Sequence, residues 1–215
     1  MTTEDHSRLI RDAARTALSP LGFQQKGRSR LWLADRGFWA FMIEFQPSGF
    51  SKGSYLNIGA TWLWHPRGGH IFNSFRRAGD FISFETAAQF KPEAERLAHV
   101  AAAEATALDR KFESLGAIAR DLREEANDEL SGKNPWTLYH AAIAAGLTDG
   151  QEFSLKCFQE LIDQTADVDW KREIQAEAAT LMRLLAEGRG FDAAIRKKVA
   201  HTRAVLKFPA LGDTH

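Results

Sequence analysis

The sequence predicts an α+β protein with an N-terminal helix, a small antiparallel sheet of three to five strands and a mostly helical C-terminal half. Aromatic-rich runs separated by short glycine-containing breaks fill residues 21–66, which is typical of an antiparallel meander. From residue 92 onward, apolar residues recur at spacings of three and four, which is the helical period. We therefore expect an α+β sheet region, 1–90, and a helical region, 91–215, that packs against it or forms one continuous globule with it.

The first predicted element is a helix over residues 4–18, which ends before Ser19-Pro20 because the residue before a proline disfavours helical backbone. Alternating apolar residues then predict strands, and Asp35-Arg36-Gly37 suits a tight hairpin turn between the first two. The predicted strands cover about 28–34, 37–46 and 54–64, with a fourth near 80–85.

Side chains alternate across a strand, so the third strand has two different faces. By composition, its core-facing side chains are Leu56, Ile58, Ala60, Trp62 and Trp64. The opposite face carries Tyr55, Asn57, Gly59, Thr61 and Leu63.

The helical pattern of residues 92–128 is too long for one compact helix. An unbroken helix would extend about 55 Å, whereas a globule of this size is only about 45 Å across. We expect a break near Glu113–Gly116; the alternative is a protruding coiled-coil arm. Further helices are predicted near 136–146, 151–165, 169–187 and 190–206. Trp136 and Trp170 show the period of a tetratricopeptide repeat, but the other positions fit simple helical hairpins better.

Composition restricts the function classes. Lys plus Arg and Asp plus Glu are 28 each, so the net charge is zero, which disfavours a dedicated nucleic-acid binder. A single cysteine permits no intramolecular disulfide. The charged N-terminus lacks a secretory apolar segment, and no run is apolar enough for a membrane span, so we expect a cytoplasmic protein without membrane association.

Three runs, LGFQQKGRSRLWLAD, WAFMIEFQPSGFS and SYLNIGATW, resemble the bacterial domain-of-unknown-function family 4304 over residues 5–66. The resemblance implies a leading helix followed by strands and a bacterial source. It implies no activity and no functional residues, because none is assigned to that family. The matching residues are Leu21, Gly22, Phe23, Lys26, Gly27, Arg28, Phe45, Gln46, Ser48, Asn57 and Gly59.

Polar side chains on neighbouring predicted strands form the main candidate site. Arg28, Glu44, Gln46 and Asn57 could line a ligand-binding sheet face. The same residues could instead form a solvated face, or an internal network that fixes the turns around them.

Several other motifs have weaker functional interpretations. Gly49–Gly53 fits G-x-S-x-G, but a nucleophile elbow needs a helix after the turn and a strand is predicted there. His65 and His70 could clamp a metal, yet no third ligand lies close in sequence. Cys157 lies among apolar helix residues, which favours a core position.

The final predicted helix is basic, with Asp192 as its acid. It could meet an anionic partner, pack near the acidic residues of 91–130, or form a solvated face. Its basic residues are Arg189, Arg196, Lys197, Lys198, Arg203 and Lys207.

These observations favour a noncatalytic protein- or peptide-interaction module of the bacterial cytoplasm. The alternative is a small-molecule-binding protein or enzyme that uses the polar sheet face. We expect no catalytic residues, no metal ligands and no cofactor, and nucleic acid is not the expected partner.

Overall fold

The structure is a computed structural model that describes residues 3–65 and 72–209, with the backbone alone for residues 3–5. The described chain divides into two compact units. The first contains 3–63, 72–109 and 208–209, and the second contains 64–65 and 110–207. The division falls inside a long helix. The predicted packing of a helical region against a sheet region stays a prediction.

The first unit begins with helix α1, Thr3–Leu18, which confirms the predicted N-terminal helix. Ile10, Ala14 and Leu18 recur every four residues and are fully buried, so one stripe of α1 contributes to the core. A short 3₁₀ turn follows, and Gly22 ends it in the left-handed conformation that glycine adopts without strain.

The sheet is antiparallel throughout, and the predicted α+β fold class is confirmed. Its strands run in the order β1-β2-β3-β4-β5, and the short β6 also pairs with β4. Two of the six strands have only two residues, which is why the predicted count of three to five is slightly exceeded. The bounds are β1 Gln24–Gln25, β2 Leu31–Asp35, β3 Trp39–Pro47, β4 Gly53–Trp62, β5 Ser74–Arg77 and β6 Ile82–Ser83.

The predicted hairpin turn at Asp35-Arg36-Gly37 joins β2 to β3. The Gly37 amide donates to the Asp35 carboxylate at 2.9 Å, and Gly37 has a positive φ. Arg36 forms two hydrogen bonds to the Asp109 carboxylate, at 2.6 and 2.9 Å. This ion pair ties the turn to helix α2, Ala87–Lys111, through Asp109, which belongs to the same unit as the turn.

Strand β4 is buried on both faces, and here the structure corrects the expected single core face. Asn57 and Thr61 lie opposite the apolar row, yet they are as buried as Trp62. On that side the Asn73 side chain accepts from the Trp62 amide at 2.8 Å and lies 3.3 Å from the Thr61 hydroxyl. Asn73, which follows β4 in the chain, therefore helps to cover the face of β4 that carries Asn57 and Thr61, although the composition of that face predicts a polar surface.

The long helical pattern breaks where sequence predicts. Helix α2 ends at Lys111, and α3, Leu115–Asn127, begins with the Ser114 side chain accepting from the Ala117 amide at 3.1 Å. The break near Glu113–Gly116 is confirmed, and the alternative of an unbroken arm is wrong.

The second unit contains α3 and four further helices, close to the predicted bounds. α4 is buried at every position from Thr137 to Ala145, as expected for a central helix with apolar residues all round. The helices are α4 Pro135–Gly146, α5 Gln151–Ile162, α6 Asp169–Ala186 and α7 Phe191–Leu206. Across the described residues, no helix is both long and apolar enough to span a bilayer.

Candidate functional site

Three of the four candidate residues meet in one hydrogen-bonded group, the polar sheet cluster, defined as Glu44, Gln46, Asn57 and Arg77. Strand pairing sets Glu44 opposite Asn57 and Asn57 opposite Arg77, so these side chains share one face. The Asn57 amide nitrogen donates to Glu44 Oε2 and to Gln46 Oε1, both at 2.9 Å.

Arg77 completes the polar sheet cluster. Its Nε donates to Asn57 Oδ1 at 3.3 Å, and its Nη2 donates to Gln46 Oε1 at 2.9 Å. Its guanidinium also lies 4.1 Å from the centre of the Tyr55 ring. Both donors and the acceptor of Asn57 are therefore used inside the protein, which favours an internal network over a vacant ligand site.

Arg28 does not join this cluster. It is exposed in the turn between β1 and β2, and no hydrogen bond connects it to the polar sheet cluster in the described structure. Arg30, two residues further along, instead forms hydrogen bonds with side chains of α1.

The G-x-S-x-G segment is a hairpin loop between β3 and β4, as its sequence context indicates. The Ser48 hydroxyl accepts from the amides of Phe50 and Ser51, at 3.1 and 3.4 Å, which shapes the turn. Ser51 is exposed and a strand follows, so this segment has no nucleophile-elbow geometry.

A pocket of about 310 Å³ lies beneath this loop. We call it the loop pocket; it is lined by His6, Arg30 and residues 47–53. Among the described residues that line it, none is acidic, whereas Arg30 and Lys52 are cationic.

His6 and Arg30 are joined by a hydrogen bond of 3.0 Å between Arg30 Nη2 and His6 Nδ1. Arg30 Nη2 also donates to the Ser7 hydroxyl at 2.8 Å. A guanidinium can only donate, so His6 Nδ1 is the acceptor and a neutral His6 carries its proton on Nε2. Neither His6 Nε2 nor Arg30 Nη1 has a hydrogen-bond partner in the described structure, and both atoms are buried.

Burial and the Arg30 charge lower the pKa of His6 to about 4, so His6 is neutral at neutral pH. The Gly53 backbone opposes this shift but does not complete a hydrogen bond with Nε2. Aromatic rings enclose the imidazole: Phe90 lies 4.9 Å and Phe84 5.4 Å from it, centre to centre.

Burial also lowers the pKa of Arg30, which nevertheless remains charged. No carboxylate of the described side chains pairs with it. Arg30 is therefore a desolvated cation whose charge is uncompensated, an arrangement that costs stability unless an anion binds.

Phe50 is fully exposed at the tip of the same loop. Its side chain also lines the cationic loop pocket. The sequence singled out this loop and Arg28, but it gave no signal for His6, because nothing in a helix sequence marks one histidine as the partner of a distant arginine.

Of the two loop histidines, His65 lies within the part of the chain that the structure describes. His65 stacks on Trp136 with ring centres 4.5 Å apart, and His70 lies outside the described residues. Among the described residues, no group of three His, Cys, Asp or Glu side chains could hold a metal ion. Cys157 is buried, and burial raises its pKa to about 11, which fits a core residue.

No family model, no curated protein and no solved structure matches this chain. The resemblance to the domain-of-unknown-function family 4304 therefore stays a prediction. The candidate sites must be interpreted from their own geometry.

Proposed function

We propose that this protein is a noncatalytic interaction module that binds an acidic peptide segment of a partner protein in the loop pocket. One observation carries the proposal: among the described side chains, Arg30 is a partly buried cation with no carboxylate partner, beside His6, whose Nε2 donor also lacks an acceptor. A peptide carboxylate would supply both the missing charge and the missing acceptor.

The chemistry of the two donors suits a carboxylate. One carboxylate oxygen can accept from Arg30 Nη1 and the other from His6 Nε2, and charge-assisted hydrogen bonds are among the stronger polar contacts. Both donor atoms are covered by surrounding atoms, so binding requires a small outward shift of the loop. Gly49 sits in open space in this loop, which leaves room for such a shift.

Phe50 would provide an apolar contact for the bound peptide, in addition to the polar contacts of Arg30 and His6. A peptide with an apolar side chain next to its acidic residue would bury Phe50 while its carboxylate enters the pocket. Lys52 lines the same pocket and provides a further positive charge for an acidic segment.

The test is selection of a phage-displayed random peptide library on the immobilised full chain. We expect selected peptides to combine an acidic and an apolar residue. We expect Arg30→Gln to weaken their binding about tenfold, since hydrogen bonds to charged groups contribute about 1.5–3 kcal/mol. Arg28→Gln removes the same charge from the exposed part of the same turn and should bind as the wild type does.

A second pair of variants covers the case in which Arg30→Gln folds poorly. Phe50→Ser changes a fully exposed residue and should weaken binding, whereas Phe75→Ser, at another exposed phenylalanine, should not. Selected peptides without acidic residues, or equal binding by the wild type, Arg30→Gln and Phe50→Ser, would overturn the proposal.

A further inference from the structure

The second unit contains an independent cationic pocket on helix α7. We call it the α7 pocket; its volume is about 400 Å³, and it is lined by His65, Ala194, Lys197, Lys198, His201 and Thr202. The α7 residues recur at helical spacings of three and four, so they form one face of the helix. No described residue that lines this pocket is acidic.

The charges around the α7 pocket are unbalanced. Lys198 forms an ion pair with Glu177 of α6, which compensates one lysine. Burial lowers the pKa of Lys198, so its ammonium is partly desolvated. Lys197 pairs with no carboxylate of the described chain, and its charge is therefore available to a ligand.

Thr202 supplies a second donor. The residue is only 4% exposed, and it lines the α7 pocket. A threonine hydroxyl can donate one hydrogen bond and accept others. Here it borders a cavity that also contains an ammonium and an imidazole group.

We infer that the α7 pocket binds the phosphate group of a small phosphate ester. A phosphate offers several oxygens in a tetrahedral arrangement, which can accept from the Lys197 ammonium, the Thr202 hydroxyl and the His201 imidazole together. A carboxylate has only two oxygens in one plane. The cavity exceeds the size of a free phosphate ion, which leaves room for the esterified group.

Among the described residues that line the α7 pocket, His65 is the one that does not come from α7. His65 stacks on Trp136, which stacks on Trp170 with ring centres 5.6 Å apart and planes within 11°. These rings fix the position of His65, because stacked side chains have few alternative rotamers. The pocket therefore has one rigid aromatic wall and one helical wall that carries the donors.

Calorimetric titration of the full chain tests this inference, with inorganic phosphate and glycerol 3-phosphate as probes and glycerol as the uncharged control. We expect both phosphorylated probes to bind, the ester more tightly, and glycerol not to bind. Lys197→Gln should weaken ester binding about tenfold, because it removes one charge-assisted hydrogen bond.

Arg196→Gln is the matched control, since Arg196 is the preceding residue on α7, lies outside the pocket lining and pairs with Asp192 at 2.6 Å. It should bind the ester within about twofold of the wild type. Arg30→Gln should also leave this binding unchanged, which separates the result from the loop pocket. Absence of ester binding at millimolar concentration, or equal binding by the wild type and Lys197→Gln, would overturn the inference. Tighter binding of free phosphate than of glycerol 3-phosphate would overturn the assignment of a phosphate ester as the ligand.

Discussion

His6 accepts a hydrogen bond from Arg30 across 3.0 Å, and this contact determines which imidazole nitrogen carries the proton. The Arg30 charge also disfavours a second proton on the ring. The pair therefore keeps His6 neutral in the folded protein at a pH where an exposed histidine is already protonated.

Folding should become less favourable in acid because of this pair. In the unfolded chain His6 protonates near its ordinary pKa of 6.5, whereas in the folded chain it protonates only near 4. The contribution of His6 to stability is complete above pH 6.5 and is lost as the pH falls towards 4. Urea unfolding measured across this pH range should show that the free energy of unfolding falls more steeply with acid for the wild type than for His6→Gln. If the free energy of unfolding changes with pH equally in the two proteins, His6 does not titrate as described.

The polar sheet cluster should stabilise the fold. Gln46→Ala removes an acceptor from the buried Asn57 amide, and Asn57→Ala removes the hydrogen bonds that join the half-buried Glu44 and Gln46, each at a cost of about 1–3 kcal/mol. Thermal denaturation without added ligand measures this, with Arg28→Ala at the exposed turn as the control. If either cluster variant is as stable as the wild type, the network interpretation fails. A small-molecule site on this sheet face, or an enzyme that uses it, then becomes the better hypothesis.

Trp62 should be one of the most costly side chains to truncate. It is 2% exposed on β4 and lies opposite Trp39 of β3. Trp62→Ala should destabilise the protein by about 3–5 kcal/mol through lost burial and the cavity left behind. Phe75→Ala removes a half-exposed ring and should cost less than about 0.5 kcal/mol. Similar unfolding midpoints in urea for the two variants would contradict this account.

Gly27 should resist substitution for a backbone reason. Its φ is 57°, and no atom lies close enough to obstruct an added Cβ, so any penalty comes from the left-handed conformation alone. Gly27→Val should cost more than about 1 kcal/mol. Gly49 also has open space but no positive φ, so Gly49→Val is the matched control. The measurement is urea unfolding of both variants. Equal free energies of unfolding would show that the positive φ at Gly27 does not determine its tolerance to substitution.

Elements with a long periodic pattern were predictable from the sequence. The helices of the second unit and the central strands β3 and β4 repeat their apolar residues several times, so the period is unambiguous. The break between α2 and α3 was also predictable, because a continuous helix would be longer than a compact globule of 215 residues is expected to be wide. Ser114 then provides the helix cap that the break requires.

The remaining features depend on long-range pairing that local patterns do not show. Arg77 lies on β5, an edge strand of four residues that is mostly exposed and lacks an alternating pattern. Its role follows only from its register opposite Asn57. The contact between His6 and Arg30 likewise joins residues 24 positions apart, from a helix and a turn.

Strand β4 has an evolutionary consequence. All its positions except Tyr55 are buried, and a side chain at Gly59 would collide with the Ser74 carbonyl. Most sheet strands alternate constrained and permissive positions, so they can accumulate neutral changes on one face. Here saturation mutagenesis should find an almost uninterrupted row of intolerant positions, and sequence drift in this protein should concentrate in its turns and on its outer helical surfaces.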